Sequence, residues 1–429
     1  MKISVEKNES STMSLVRMHK KAFLLGTVLF TTTILIILQN DNQEYRKTEP
    51  VGYRWKAEGY PEDKIQEWMD LRMKMKSNMS ELGKILFLNK STRNIVNRDK
   101  RYKILVWKYA STIEQRHMTR NGQRINPLDG CSVSNCDITN KDEDLKKADI
   151  VIYHLHRMKG LKDLPQSPRN PNQIWAFLTD ESPYHTFLDK VKLKEFNGVF
   201  NWSMTYRMDS EIPVPYGRTI LTSNPDNLEF KLDKRRDVLV AILGSNCGGK
   251  NHRWEYVREL QKHIKVDVYG KCGTFKTCPG HFRSNCKDID RYMFYLAFEN
   301  SNCDEYLTEK VWWNAFEKNS IPVVMGANIY NYKKLLPLGS YLNIDQFASP
   351  RDLAEYIKVL NKTEGYLDMY NWKKNFKVLN EHGYFNSKSY HYCRICEALN
   401  YNGREKKVYN NLDNFWSVKK NCHASWDAI

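Results

Sequence analysis

Residues Phe294–Gly326 read FYLAFENSNCDEYLTEKVWWNAFEKNSIPVVMG, two apolar runs separated by a polar loop and an amphipathic segment. The runs Tyr292–Phe298 and Ile321–Met325 are short and bounded by polar residues, as is typical of buried strands in a parallel sheet. Thr308–Lys318 predicts the helix between them, beginning with a residue type suited to the N-cap. Because ligands of such sheets bind beyond the carboxyl ends of the strands, we expect the loop Glu299–Thr308 to line a ligand site.

The start of this predicted helix carries two opposite charges. Lys310 lies in the first turn, where it would hold a phosphate group together with the helix N-terminus. Glu309 has the wrong charge for that role and is better suited to accept hydrogen bonds from hydroxyl groups, such as a ribose diol. The alternative is that Glu309 only favours the helix dipole and that Lys310 is solvated. Spacing alone does not choose between the two interpretations.

Strand and helix patterns alternate on both sides of this stretch. Further strands are predicted at Lys103–Trp107, Asp149–Tyr153, Gln173–Leu178, Gly198–Trp202, Asp237–Leu243 and Lys265–Tyr269. Further helices are predicted at Leu155–Asp163, His185–Glu195 and Arg253–His263. The charged run Lys231–Asp237 separates the two series. We therefore expect two Rossmann-like α/β lobes with a cleft between them.

The composition excludes several classes of protein. Of 429 residues, 41% are hydrophobic and 12% aromatic, which is too many for a disordered chain. The mean hydropathy of −0.66 excludes a multi-span membrane protein. The net charge of +17, from 67 Lys+Arg against 50 Asp+Glu, is compatible with binding to nucleic acid, a membrane surface or anionic small substrates.

The amino-terminal region predicts a membrane anchor. Ala22–Leu38 is an apolar run without charged residues, and Arg17, Lys20 and Lys21 precede it. The positive-inside rule places residues 1–21 in the cytosol and the rest of the chain across the membrane. A cleaved signal peptide is the alternative, but its apolar core is usually shorter and is followed by small residues. We expect an uncleaved signal anchor and a polar, partly helical stem over residues 39–100.

Cysteines and glycosylation sequons agree with this topology. All ten cysteines lie beyond the apolar run, where an oxidising lumen favours disulfides. Four N-x-S/T sequons lie there too, and we expect Asn78, Asn89 and Asn361 to be the glycosylated ones. The fourth, Asn201, falls in a predicted strand and is a poorer candidate.

Four blocks of the sequence together resemble one enzyme family. Phe294–Gly326 resembles the donor-site signature of the α1,3/4-fucosyltransferases, glycosyltransferase family ten. Phe196–Gly217 (FNGVFNWSMTYRMDSEIPVPYG) and Ser245–Gly273 (SNCGGKNHRWEYVRELQKHIKVDVYGKCG) are similar to two further blocks of that family. Tyr392–Leu399 (YCRICEAL) is similar to its closing cysteine pair. The blocks occur in the family's order, and they resemble the invertebrate members.

The resemblance implies a fold, a reaction and a compartment. It implies a GT-B-like pair of lobes, residues 101–232 on the acceptor side and 233–429 binding the donor, in a type II protein of the Golgi membrane. It also implies inverting transfer of L-fucose from GDP-β-L-fucose to O3 of a GlcNAc residue, with N-glycan cores favoured and Lewis-type antennae as the alternative acceptor. An inactive lumenal glycan-binding protein is the alternative of another class. A nucleic-acid partner is not expected beside a membrane anchor.

The resemblance also assigns residues to the donor site. Asn300, Tyr306, Glu309 and Lys310 match positions that bind the nucleotide sugar, with Glu309 on the ribose and Lys310 on the diphosphate. Arg253 matches an arginine that contacts the diphosphate. A guanidinium and an ammonium can share the charge that develops on the leaving phosphate.

Direct displacement also needs a base for the acceptor hydroxyl. Glu181 follows the strand Gln173–Leu178 and matches the glutamate of the family's ESP motif, to which this role is assigned. We expect it to be partly desolvated in the cleft. Asp180 departs from the motif, and His185 is a second candidate base. The alternative is that Glu181 is an exposed turn residue before Pro183.

Metal ligation is not expected to be essential. The acidic triplets at residues 142–144 and 288–290 are short patterns that arise by chance, and the two cations would neutralise the diphosphate, with Mn²⁺ or Mg²⁺ as optional stimulators. Cys393 and Cys396 with His391 could suggest zinc, but an oxidising lumen removes thiolates. We expect a local disulfide between these two cysteines. Cys272, Cys278, Cys286 and Cys303 lie close to the donor motif and are expected to form disulfides that hold this region, with the pairing left open.

Overall fold

A computed structural model describes residues 53–56, 60–90, 100–108, 116–187, 191–222, 229–275, 285–403, 407–424 and 426. The predicted cytoplasmic tail and anchor, residues 1–38, lie outside the described residues. Among the residues that are described, no helix is long and apolar enough to cross a membrane. The described chain from residue 53 onward belongs to one compact unit, 52–429.

The strands, in chain order, are β1 (Tyr53–Lys56), β2 (Tyr102–Val106), β3 (Thr119–Arg120), β4 (Gln123–Arg124), β5 (Cys136–Thr139), β6 (Ile150–His154), β7 (Ile174–Thr179), β8 (Trp202–Thr205), β9 (Ile212–Pro213), β10 (Gly217–Leu221), β11 (Glu229–Leu232), β12 (Val240–Leu243), β13 (Val266–Tyr269), β14 (Phe294–Phe298), β15 (Ile321–Met325), β16 (Leu342–Asn343) and β17 (Phe376–Asn380). The α-helices are α1 (Glu62–Met73), α2 (Glu81–Leu88), α3 (Arg253–Gln261), α4 (Glu309–Val311), α5 (Ile329–Leu335), α6 (Pro350–Thr363), α7 (His391–Tyr401) and α8 (Val418–Asn421).

The first lobe is built on a parallel sheet of order β5-β2-β6-β7-β8-β9. Its central strands are apolar on both faces, as expected for a sheet covered on both sides. The predicted helices Leu155–Asp163 and His185–Glu195 are wrong. Short 3₁₀ turns stand there instead, at Leu155–Arg157, Leu161–Asp163, Pro183–His185 and Leu193–Phe196. The strand predicted at Gly198–Trp202 begins only at its last residue.

The second lobe has a parallel sheet of order β13-β12-β14-β15-β16. The chain leaves β12 towards β13 and then crosses to the other side of β12 to form β14. The order therefore reverses beside β12, and such a switch point opens a crevice at the carboxyl ends of β12 and β14. The helix predicted over Thr308–Lys318 begins as α4 and continues as a π-helix over Trp312–Glu317.

Part of the predicted stem belongs to the folded body. In α1 and α2, Trp68, Leu82 and Phe87 are fully buried and share one core with strands of the first sheet. The Arg72 guanidinium donates to the Lys334 carbonyl of α5 at 2.8 Å and lies 3.5 Å from the Trp68 ring centroid. The two helices thus join elements of both lobes, so residues 39–100 are not a spacer throughout.

The carboxyl-terminal part of the chain returns to the first lobe. Strand β17 pairs antiparallel with β10, and α7 is tied to the first lobe by the disulfides Cys131–Cys393 and Cys136–Cys396. The predicted local disulfide between Cys393 and Cys396 is therefore wrong. On a helix, Cβ atoms three residues apart are about 5–6 Å from each other, whereas a disulfide needs about 3.5–4.5 Å. Residues 233–429 consequently do not form the second lobe alone.

Candidate active site

Two turns from different lobes meet at the carboxyl ends of β7 and β14. The Tyr306 hydroxyl donates to the Glu181 carboxylate at 3.1 Å, and the Ser301 hydroxyl donates to the Ser182 hydroxyl at 2.7 Å. Tyr306 and both serines are buried, while Glu181 is partly exposed. The predicted base therefore lies directly against the predicted donor loop, at the junction of the lobes.

The Lys310 ammonium is held by an internal ion pair. It donates to Glu299 at 2.8 Å and to the Thr308 hydroxyl at 2.7 Å, and it lies 3.6 Å from the Glu309 carboxylate. Burial alone would lower the pKa of Lys310, but the charges of Glu299 and Glu309 raise it overall. The side chain keeps 18% of its surface exposed, so a protonated cation remains within reach of a ligand.

Glu299 was not singled out from the sequence, yet it organises the start of α4. It is fully buried and accepts hydrogen bonds from the Thr308 backbone N–H at 2.8 Å and from its hydroxyl. Thr308 stands at the N-cap position as predicted, but its side chain makes no capping hydrogen bond to the helix. The hydroxyl points back to Glu299 instead, and the carboxylate takes over one of the N–H groups at the helix start.

Arg253 begins α3 and is pinned to backbone carbonyls. Its three nitrogen atoms donate to the carbonyl oxygens of Gly248, Phe298 and Asn246 at 3.2, 3.1 and 2.7 Å. Burial lowers the pKa of Arg253, and Glu299 is the main charge acting against that shift. The guanidinium thus joins the loop after β12 to the end of β14.

The loops at the switch point are tied to each other by a backbone hydrogen bond and by a hydrogen bond from the Asn251 side chain. The Lys250 N–H donates to the Asn300 carbonyl at 2.7 Å, and the Asn251 amide donates to the Glu299 carbonyl at 3.0 Å. The Asn300 side chain is partly exposed and accepts a hydrogen bond from Ser301 at 3.1 Å. The predicted donor residues Asn300, Glu309, Lys310 and Arg253 therefore lie on loops that contact each other.

The aromatic residues that follow α4 pack against other parts of the fold. Trp312 and Phe316 are buried, and a Cβ atom added to Gly217 would lie 2.5 Å from the Trp312 ring. Glycine is required at this point because the backbone at the end of the Phe196–Gly217 block passes directly over the indole. Trp313 is partly exposed and stacks on Phe385, with ring centroids 5.3 Å apart.

The two candidate bases lie on the same turn. Glu181 reaches Tyr306, whereas the His185 ring is partly buried and its Nε2 makes no hydrogen bond among the described residues. Burial lowers the pKa of His185, against the opposing charge of Glu181. The geometry favours Glu181, whose carboxylate is held by a donor from the opposite lobe.

The sequence did not predict the surroundings of Asp180. Its carboxylate accepts hydrogen bonds from the Arg116 guanidinium at 2.5 Å and from His391 Nε2 at 3.2 Å. Burial alone would raise the pKa of Asp180, but His382, Arg116 and His391 hold it well below its usual range. His391, considered above with the CxxC pair as a zinc ligand, thus contacts a carboxylate rather than thiolates.

Disulfides flank the donor loops as expected, with partners that the sequence left open. Cys247 pairs with Cys272, and Cys303 of the donor motif pairs with Cys422. Cys286 is disulfide-bonded as well, while Cys278 lies outside the described residues. These bonds join the donor loops to neighbouring segments.

The sequons differ in the availability of their asparagine. Asn78 and Asn89 are exposed, and Asn361 is partly exposed with its Oδ1 accepting a hydrogen bond from Arg236 at 2.6 Å. The Asn201 amide instead donates to the Lys407 carbonyl and accepts from the Trp175 N–H, so its nitrogen is engaged in the fold. Glycosylation of Asn78, Asn89 and Asn361 stays a prediction.

Taken together, these residues can bind an anion and accept a proton. Lys310 and Arg253 supply two cations at the switch point of one sheet, where nucleotide-binding crevices occur. Glu181 supplies a carboxylate from the other sheet, and Tyr306 connects it to the same loop. A group-transfer reaction with an anionic leaving group requires such a combination.

Two family models match consecutive parts of the chain. The family model described as "Fucosyltransferase, N-terminal" matches residues 99–217, and that described as "Glycosyltransferase family 10 (fucosyltransferase) C-term" matches residues 233–416. A crystal structure of an α1,3-fucosyltransferase with GDP-fucose aligns with a TM-score of 0.43 and 16% identity, covering 77% of this chain and 99% of that one.

Curated relatives are more similar in sequence. Glycoprotein 3-alpha-L-fucosyltransferase A of Drosophila melanogaster is 35% identical over 308 residues, 69% of this chain and 57% of that protein. The 4-galactosyl-N-acetylglucosaminide 3-alpha-L-fucosyltransferase FUT6 of Homo sapiens is 38% identical over 249 residues, 57% of this chain and 67% of that protein. The match thus spans less than two thirds of the Drosophila relative. Since the two family models follow one another along most of the described chain, the chain belongs to glycosyltransferase family 10, the fucosyltransferases.

Proposed function

We propose that this protein is an inverting α1,3-fucosyltransferase that moves L-fucose from GDP-β-L-fucose to O3 of a GlcNAc residue. The observation that carries the proposal is the meeting of Glu181 with the donor loop through Tyr306. One lobe supplies the base, and the other supplies the cations for the nucleoside diphosphate. Membership of the fucosyltransferase family supports the choice of sugar.

In the proposed reaction, the acceptor hydroxyl attacks the anomeric carbon of fucose from the face opposite the diphosphate. The new bond joins O3 to that carbon, the bond from the carbon to the phosphate oxygen breaks, and GDP departs. Glu181 takes the hydroxyl proton. Lys310 and Arg253 stabilise the negative charge that develops on the leaving diphosphate, so no metal ion is needed for that step. Stimulation by Mn²⁺ or Mg²⁺ remains compatible with this mechanism.

The acceptor we favour is the GlcNAc of an N-glycan core. The printed name of the Drosophila relative specifies a glycoprotein acceptor, which supports this choice. The human relative is named for 4-galactosyl-N-acetylglucosaminide, an antennal acceptor, and supports the alternative. We further propose that Ala22–Leu38 anchors the enzyme in the Golgi membrane with residues 39–429 in the lumen. The disulfides are compatible with such an oxidising compartment.

Product analysis tests the proposal. A chain beginning near Lys47, just before the compact unit 52–429, is incubated with GDP-fucose and two acceptors, an N-glycopeptide core and N-acetyllactosamine. Mass spectrometry should find one added fucose on the glycopeptide, with fragment ions that place it on the core GlcNAc. Fucose on N-acetyllactosamine alone would support the Lewis-type alternative. Glycan binding without a mass increment on any acceptor would support an inactive glycan-binding protein.

A further inference from the structure

The Asp180 side chain lies in a largely buried group of residues behind the Glu181 turn, here called the anchor cluster: Arg116, His117, Asp180, His382 and His391. One Asp180 oxygen accepts from Arg116 at 2.5 Å, and the other accepts from His391 Nε2 at 3.2 Å. The three histidines are at most 3% exposed, and the Asp180 side chain is 12% exposed. The cluster therefore fixes Asp180 from the protein side of the turn.

The cluster is itself supported by hydroxyl groups. The Ser389 hydroxyl contacts Nδ1 of both His117 and His391, the latter at 3.4 Å, which orients the two imidazole rings. The Tyr216 hydroxyl donates to the backbone carbonyl of Asp180 at 2.8 Å. Both the side chain and the backbone of Asp180 are thus held in place.

Consecutive residues of this turn point into different environments. Asp180 faces the anchor cluster, whereas Glu181 is partly exposed and reaches Tyr306 of the other lobe. The Thr179 hydroxyl donates a hydrogen bond to the Glu181 carbonyl at 3.3 Å, and the Ser182 hydroxyl accepts one from the Ser301 hydroxyl at 2.7 Å. With its neighbours held on both sides, Glu181 has little freedom to turn away from the cleft.

A metal ion is the other occupant that this cluster suggests. Donor atoms of His117, Asp180 and His391 lie within 4.8 Å of one another. However, Arg116 takes one Asp180 oxygen and approaches His117 Nε2 at 3.4 Å, so a cation there would face a guanidinium. The Arg116–Asp180 ion pair already balances its own charge, so no net negative charge is left there to attract a cation. The charges therefore favour an anchor over a metal site.

We propose that Asp180 and His391 are positioning residues for the reaction: their ion-pair cluster with Arg116 aims the neighbouring Glu181 carboxylate at the acceptor hydroxyl. The inference rests on the proposed function of Glu181 as the base. A base displaced by about 1 Å loses about 100-fold in rate, although substrate binding is retained. The cluster should accordingly act on kcat and leave the binding of GDP-fucose unchanged.

Steady-state kinetics of the full chain test this. Asp180→Asn should lower kcat about 100-fold, and His391→Gln about tenfold, with the KM for GDP-fucose within about twofold of wild type. GDP-binding stoichiometry by calorimetry normalises for folded protein. Asp209→Asn is the matched control, because Asp209 also pairs with an arginine, Arg207, at 2.5 Å with a 15% exposed side chain. The Asp209→Asn variant should retain the wild-type kcat, even if its stability changes.

The outcomes separate this inference from the proposed function. If Asp180→Asn does not fold, Tyr216→Phe removes only the hydroxyl that holds the Asp180 carbonyl, and it should still lower kcat about threefold without changing the KM for GDP-fucose. Unchanged kcat in the folded cluster variants, alongside an inactive Glu181→Gln, would overturn the positioning role alone. One equivalent of bound metal that is lost in His391→Gln would overturn it too. A fully active Glu181→Gln would overturn the proposed base instead.

Discussion

The turn after β7 and the loop after β14 occupy equivalent ends of two parallel sheets, yet different kinds of contact hold them. On the donor side, Lys310 is paired with Glu299, only 11 residues away in sequence. On the base side, Asp180 is paired with Arg116 and His391, which are 64 and 211 residues away. A motif can therefore encode most of the donor side, whereas the base side depends on distant segments that the fold assembles.

The largest expected effect comes from removing the two disulfides that bond α7 to the first lobe. Replacing Cys131, Cys136, Cys393 and Cys396 by serine should lower the free energy of unfolding by about 5 kcal/mol, since each bond closes a loop of about 260 residues. His391 begins α7, so the anchor cluster should loosen as well. Chemical denaturation measures the loss.

The matched comparison is removal of one bond at a time. Replacing only Cys131 and Cys393 by serine should lower the free energy of unfolding far less, because Cys136–Cys396 still closes nearly the same loop. Replacing Cys247 and Cys272 by serine removes a disulfide on the donor side that closes a loop of only 25 residues. The free energy of unfolding should therefore fall by less than in the variant with all four cysteines replaced. Equal losses for all three variants would contradict the dependence on distant segments.

Loss of the base should follow in size. Glu181→Gln keeps the shape of the side chain but cannot accept the proton, so kcat should fall about 1,000-fold while GDP still binds. Single-turnover measurements with GDP-fucose check the rate, and calorimetry checks GDP binding. Glu143→Gln, at a carboxylate that is 78% exposed, is the control and should behave as wild type. Weakened GDP binding in Glu181→Gln would place this residue on the donor side instead.

On the donor side, Lys310→Met should weaken GDP binding about 100-fold, since a charge-assisted contact to the diphosphate is lost. It also leaves Glu299 buried without its ammonium partner, which should lower the thermal midpoint. Adding Glu299→Gln removes that buried charge and should recover stability without recovering GDP binding. Thermal shift with and without GDP separates the two effects. Full protection by GDP in the double variant would remove Lys310 from the donor site.

The smallest expected effect is at the contact that links the two sides. Tyr306→Phe removes the hydroxyl that donates to Glu181, and kcat should fall about fivefold, as for one hydrogen bond to a charged group. If Tyr306 acts only on the base, the KM for GDP-fucose stays unchanged. A raised KM with unchanged kcat would mean that its main contact is with the donor, as the family resemblance implies.

The sequence predicted the strands and the helix start on the donor side, whereas the roles of the residues there stay predictions. The strands β14 and β15, the start of α4 and the clustering of Arg253 with Lys310 follow from apolar runs, a helix start and a recognised motif. Errors arose where partners are far apart: Cys393 and Cys396 were expected to form a local disulfide, and residues 39–100 were expected to form a stem throughout. Two cysteines three residues apart on a helix cannot form a disulfide with each other, and each of these pairs with a distant cysteine instead. The Trp68 ring packs against Phe376 of β17, which is also far away in sequence.

By itself, the sequence determined that the chain forms parallel α/β lobes, because periodicity and apolar runs are local properties. The family resemblance, carried by short motifs, assigned its cations and carboxylates to the proposed nucleotide-sugar site. Only the tertiary structure decided that Asp180 turns into a histidine–arginine cluster while Glu181 turns outwards to Tyr306. Two adjacent carboxylates look alike in sequence. Their roles differ because burial and ion pairing, which arise from contacts between distant segments, hold one inside the protein and leave the other at the cleft.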